Sequence, residues 1–243
     1  MIENIRKEFI KYVKGFNLKD KNIMGKFHHS FRVMDFATEI AKSLHLSDED
    51  IKLASIIGLL HDIGRFEQWT KYETYSDSKS IDHRDLGSDI LKQDGFINNF
   101  VEDEEEKRII LIAIKNHNKY KIEDNLSERE LLMSKIIRDA DKLDIMKEQG
   151  KITQNIDFIK PELLESFDKK ELCNDKFVEN EIDHVLRLLS FIYDLNFKYS
   201  YEYLLNNNII QNKVHLISCY YNDKKLLNDL ENKIITYIKE RCE

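Results

Sequence analysis

One proline and seven glycines are very few for 243 residues. Turn-rich β architectures need many more of both, so long uninterrupted helices are expected. Basic tracts are also missing, and the formal charge is −7. That weighs against a nucleic-acid binder, although a local metal or arginine cluster could still serve a small phosphorylated molecule. The cysteines Cys173, Cys219 and Cys242 are odd in number and widely spaced, with no CxxC pattern. Unpaired thiols of this kind point to a reducing, cytoplasmic setting. No run of about 18 uncharged apolar residues occurs, so no membrane span is expected. The opening MIENIRKEFIKYVKGF is charged throughout and lacks the apolar centre of a signal peptide.

What is present is a hydrophobic fraction of 42% whose members recur at helical spacing. Ile2, Ile5, Phe9, Tyr12, Val13 and Phe16 define a first helix. A second is expected from Gly25 to His45. Ser47 then offers an N-cap with acids behind it, opening a helix that reaches His61. Gly64 to Ser80 shows no helical stripe and reads as an ordered, aromatic-rich loop of about 15 residues. Helices follow around DHRDLGSDILKQ and EDEEEKRIILIAIKNH, and SERE forms a capping box before LLMSKIIRDADKLDIM. Beyond Gly150 the pattern stays helical, apart from an inter-helix loop at LNNNIIQNK, but holds few catalytic side-chain types. The expectation is an all-α chain with a core over residues 1–150 and a helical extension over 151–243.

The stretch LASIIGLLHDIGRF carries a nearly unbroken apolar run into His61 and Asp62. A buried aspartate needs a partner for its charge. Elsewhere, His28, Arg32, Asp35, Glu39 and Lys42 share one polar stripe at about 100° per residue, while His29 falls with Val33, Phe36 and Ile40 on the apolar side. His83 stands near the start of its segment, one turn before Gly87, a mid-helix glycine that hints at a close approach. His117 ends IILIAIKNH, as a ligand or as a cation at a helix C-terminus. Asp139 and Asp141 follow LLMSKII, as ligands or as part of a solvated charged face. His45, His184 and His215 have no ligand types beside them and read as ordinary surface or core histidines. Taken together, the helices bearing His29, His61, His117 and Asp141 each present a nitrogen or carboxylate ligand, a set suited to Zn, Fe, Mn or a similar divalent metal. A buried metal would also neutralise Asp62.

These residues resemble the HD-domain superfamily of metal-dependent phosphohydrolases. The resemblance rests on HHSFRV, LLHDIGR, DHRDLG, NH and DADKLD, in the order H…HD…H…H…D, and it spans Gly25 to about Lys147. It implies an HD-domain-like helical bundle with additional C-terminal helices. It also implies metal ligands at His29, His61, Asp62, His83, His117 and Asp141, with "ADKL" favouring Asp141 over Asp139. The two extra histidines are similar to the subset that holds two divalent ions about 3.5–4 Å apart, with Asp62 bridging. The implied activity is hydrolysis of a phosphoester or phosphoanhydride by a metal-bound hydroxide, in a nucleotide or related small metabolite. Asp62 is then a catalytic group, with Arg65 and Lys142 as phosphate contacts. Arg32 is a weaker candidate that would brace a ligand carboxylate. No Gly-Tyr-Pro follows His117, which sets cyclic dinucleotides aside. Two alternatives stay open: a di-iron oxygenase with the same six ligands, and a non-catalytic nucleotide-binding module. Residues 151–243 could serve as a lid, a packing layer or a homo-oligomer surface.

Overall fold

Most of the apolar repeats at three and four are helical, although the first helix stops at Val13, short of Phe16. The computed structural model describes residues 2–148 and 150–243 and holds no strand among them. The chain divides into two compact units, 1–141 and 142–243.

In the first unit the helices are α1 (Ile2–Val13), α2 (Lys21–Ser43), α3 (Asp48–Leu60), α4 (Ile63–Tyr72), α5 (His83–Lys92) and α6 (Glu104–Asn116). Helix α7 (Glu128–Lys147) begins in this unit. Caps act where side chains were expected to supply them. The Ser47 hydroxyl accepts from the Asp50 N–H at 3.1 Å. Ser127 and Glu130 satisfy each other's backbone amides at 3.3 and 2.7 Å. The α2–α3 pair crosses closely at Gly58, where a Cβ would lie 2.8 Å from the Met34 Cα. Only glycine allows that approach, and it brings the His29 and His61 backbones together.

Residues 64–80 differ from the expected loop. Positions 63–72 form α4, and a short 3-10 turn covers Asp77–Lys79. Ile63, Phe66, Trp69 and Tyr72 recur every three residues there, but only Ile63 and Phe66 among them are buried, so the apolar stripe is narrow. The helix is stabilised by tertiary packing: Phe66 is fully buried against the rings of Phe9, Tyr12 and Phe16 at 5.7–6.1 Å. Gly64 sits in the first turn of α4, where a Cβ would lie 2.3 Å from the His83 carbonyl oxygen and 2.7 Å from the Gly87 nitrogen. The close approach hinted at by Gly87 is this crossing of α4 over α5.

The second unit contains α8 (Pro161–Lys169), α9 (Glu181–Leu189), α10 (Lys198–Asn206), α11 (Ile209–Ser218) and α12 (Lys224–Cys242). The Asn-rich loop shrinks to two residues, Asn207 and Asn208, between α10 and α11. Leu186, Leu189, Ile210, Ile217, Ile234 and Ile238 form part of this unit's buried core. Among the described residues, no helix is long and apolar enough to cross a membrane.

Candidate metal centre

Helix breaks place the candidate ligands. Helix α3 ends at Leu60, and Asp62 adopts φ −106°, ψ 20° before α4 resumes. This bridge-region kink turns two adjacent side chains toward one point. His29 lies mid-α2 on the buried face, whereas His28 is exposed. His83 opens α5 behind the Asp82 cap, His117 caps the end of α6, and Asp141 is on α7.

The six side chains converge. His29 and His61 Nε2 atoms lie 3.6 and 3.5 Å from Asp62 Oδ2. They lie 3.2 and 3.7 Å from Asp141 Oδ1. On the other side, His83 and His117 Nε2 atoms lie 3.6 and 3.7 Å from Asp62 Oδ1. Asp62 therefore faces one histidine pair with each carboxylate oxygen. Asp139 is buried but stands outside this cluster.

The ring tautomers follow from outer partners. His61 Nδ1 donates to the Gly58 carbonyl at 2.8 Å, His117 Nδ1 to the Ile114 carbonyl at 2.6 Å, and His83 Nδ1 to Asp77 Oδ2 at 2.7 Å. In the neutral rings this leaves each Nε2 with a bare lone pair aimed inward. Yet His83 and His117 Nε2 lie only 3.1 Å apart. That separation suits either a proton shared between the two nitrogens or their common approach to a cation. Burial and the neighbouring histidines His83 and His61 push the His117 pKa well below its ordinary value, so that ring stays neutral. For His61, burial opposes the charged form, but the Asp62 and Asp141 carboxylates outweigh it and raise the pKa to about 10. Burial likewise opposes the charges of Asp62 and Asp141, but Lys26 and the histidines outweigh it and both stay ionised. The centre is thus a buried cluster of two ionised carboxylates and four imidazoles, and its His/Asp triples could hold metal ions.

Three supporting residues carry no motif signal. Lys26 Nζ lies 2.7 Å from Asp62 Oδ2. Asp77 binds His83 and also accepts from Arg65 Nη1 at 3.0 Å and Gln68 Nε2 at 2.9 Å. Arg138 reads as surface charge but is buried, and its Nη1 donates to the Asn116 and Lys119 carbonyls at 2.9 and 2.6 Å, locking the turn that holds His117. Helical phase could have flagged Lys26, one turn before His29. Arg138 finds its partners 22 and 19 residues away, and Asp77 lies in the stretch read as a loop, so no periodic pattern marks either.

Arg65 is at the centre, with Nε 3.5 Å from Asp62 Oδ1. Lys142 is buried with its ammonium 2.7 Å from Asp194 and over the Phe191 ring. Arg32 is partly buried. His45, His184 and His215 are exposed.

Clustered histidines and aspartates inside an all-helical unit are the donor set of an α-domain that could hold metal ions. Residues 27–146 match the family model of the HD domain, and that segment contains all six clustered residues. The family is mostly one of metal-dependent hydrolases. No curated protein and no solved structure gives a significant match to the chain.

Proposed function

We propose that this protein is a phosphohydrolase that uses two divalent ions to cleave a phosphoester or phosphoanhydride in a nucleotide or related small metabolite. The observation that carries this reading is the double-sided use of Asp62, one oxygen toward His29 and His61 and the other toward His83 and His117. His29, His61, Asp141 and Asp62 Oδ2 would hold one ion, and His83, His117 and Asp62 Oδ1 the other. Bound there, divalent ions supply Lewis acidity toward a phosphoryl oxygen and acidify a water at neutral pH.

The chain's own residues prepare the pocket. The outward Nδ1 bonds hold the imidazoles in the metal-binding tautomer, so little reorganisation is needed. Arg65 is fixed, its Nη1 within 2.6–3.0 Å of the Gln68, Tyr75 and Asp77 oxygens. Its planar fork beside Asp62 is the phosphate contact we assign. Lys142 is not assigned that role, because its ammonium is committed to Asp194.

The test is a hydrolysis panel of phosphomonoesters, phosphodiesters and nucleoside mono-, di- and triphosphates, run with Mn, Fe, Zn and Mg and with Asp62→Asn as control. Phosphate release by the wild type, abolished in the variant, is expected. Metal-replete protein that cleaves no member would overturn the reading. So would iron-loaded protein that consumes dioxygen and gives a mixed-valent signal without hydrolysis.

A further inference from the structure

Asp62 Oδ2 has one neighbour that a metal site would not want. The Lys26 ammonium lies 2.7 Å from it, on the oxygen that His29 and His61 also face. Lys26 and Arg65 flank the same carboxylate but are held very differently. Arg65 is fixed by three oxygens and is nearly enclosed. The Lys26 ammonium has Asp62 as its acceptor and otherwise rests over the Tyr75 ring at 5.4 Å, with its side chain 23% exposed. A lysine stem is flexible, and its charge is a point that can swing without losing a preset fork geometry.

The Oδ2 lone pairs cannot serve a monovalent ammonium and a divalent ion equally, and like charges at such distances repel. Resting on the metal-centre reading above, we propose that Lys26 is an exchanging cation. It neutralises Asp62 while the site lacks a divalent ion, leaves Oδ2 on metal uptake, and then binds a phosphoryl oxygen of the substrate from the Tyr75 side. Nothing is broken covalently; one ion pair is replaced by another. Lys26 thus both restrains metal uptake and holds the substrate phosphate.

The two duties predict effects of opposite sign. Chelator-treated wild type, Lys26→Met and Lys26→Arg are titrated with Mn2+, and the free ion is followed by electron paramagnetic resonance. Removing the competing ammonium should tighten Mn2+ binding in Lys26→Met by about threefold to tenfold. Inorganic phosphate, titrated calorimetrically into the Mn-loaded proteins, should bind Lys26→Met about tenfold more weakly and Lys26→Arg close to wild type. Thermal unfolding gives a third readout. Metal-free Lys26→Met, with Asp62 buried and unpaired, should unfold earlier than metal-free wild type, and the metal-loaded proteins should converge. Weaker Mn2+ binding in Lys26→Met, or unchanged phosphate affinity, would overturn the exchange while leaving the metal centre standing. Wild type that takes up no Mn2+ would overturn the metal centre itself, and the exchange with it.

Discussion

Asp77 shows how a single side chain can govern a centre it does not enter. Its carboxylate fixes the His83 ring from behind, and burial there is outweighed by its bonds to His83, so that it stays ionised with a pKa of about 2. Asp77→Ala frees the ring to rotate and removes the acceptor that fixes its tautomer. Metal affinity on the His83–His117 side should fall by about tenfold to a hundredfold, measured as metal bound per chain after dialysis against a graded buffer. Loss of both sites together would show that Asp77 supports the fold instead. His29 was legible in the sequence because it shares a face with Val33 and Ile40 while His28 shares one with Lys42. The run RDADKLD was legible only in part: the resemblance favoured Asp141, but helical spacing left a solvated face open, whereas Arg138, Asp139 and Asp141 are all buried, and Arg138 and Asp141 find partners far along the chain.

Among the elements, the α4–α5 crossing is the least tolerant. Gly64→Ala would place a methyl against the His83 and Gly87 backbones, which cannot swing aside as a side chain can. A loss of about 1–3 kcal/mol is expected, together with weaker metal binding as His83 moves. Gly25 is the opposite case: it lies exposed inside α2, and a methyl group there would meet nothing within 4 Å. Gly25→Ala should therefore stabilise by about 0.5–1 kcal/mol. Denaturant unfolding of both variants checks the pair, and equal effects would contradict it. Helix α4 escaped the sequence reading because its stability comes from the aromatic cluster around Phe66 and not from its own periodicity.

Within the second unit, Lys213 on α11 donates to the Glu148 carbonyl, just past the end of α7, at 2.6 Å. Burial lowers its pKa from 10.5 to about 8 despite Glu148. The folded state therefore sheds this proton before the unfolded state does, and stability tied to it rises as pH climbs from about 8 toward 10.5. The full excursion is on the order of 3 kcal/mol. Between pH 8 and pH 10 the unfolding temperature of wild type should rise relative to Lys213→Met. Parallel pH profiles would refute this account.

At the scale of the whole molecule, the scarcity of proline and glycine foretold an all-α chain, and the spaced histidines marked the segment whose side chains cluster. The sequence could not show why an interior would accept two carboxylates and four imidazoles so close together. Chelation should leave that interior under electrostatic strain. At a free metal concentration about a hundredfold above Kd, binding adds about 2.7 kcal/mol, so removing metal should lower Tm by about 5–10 °C, reversibly. Calorimetry with and without chelator decides it; an unchanged Tm would mean that no ion binds the native state.

Trp69 is the sole tryptophan in the sequence. Its indole N–H donates to Asp20 at 2.8 Å, and its ring lies 4.9 Å from Tyr75, the ring that both Lys26 and Arg65 overlie. The protein thereby holds a single intrinsic indole fluorophore next to the wall of its own pocket. Charge moving beside Tyr75 alters the field at that indole, so emission colour and quenching become a label-free optical record of what enters the centre.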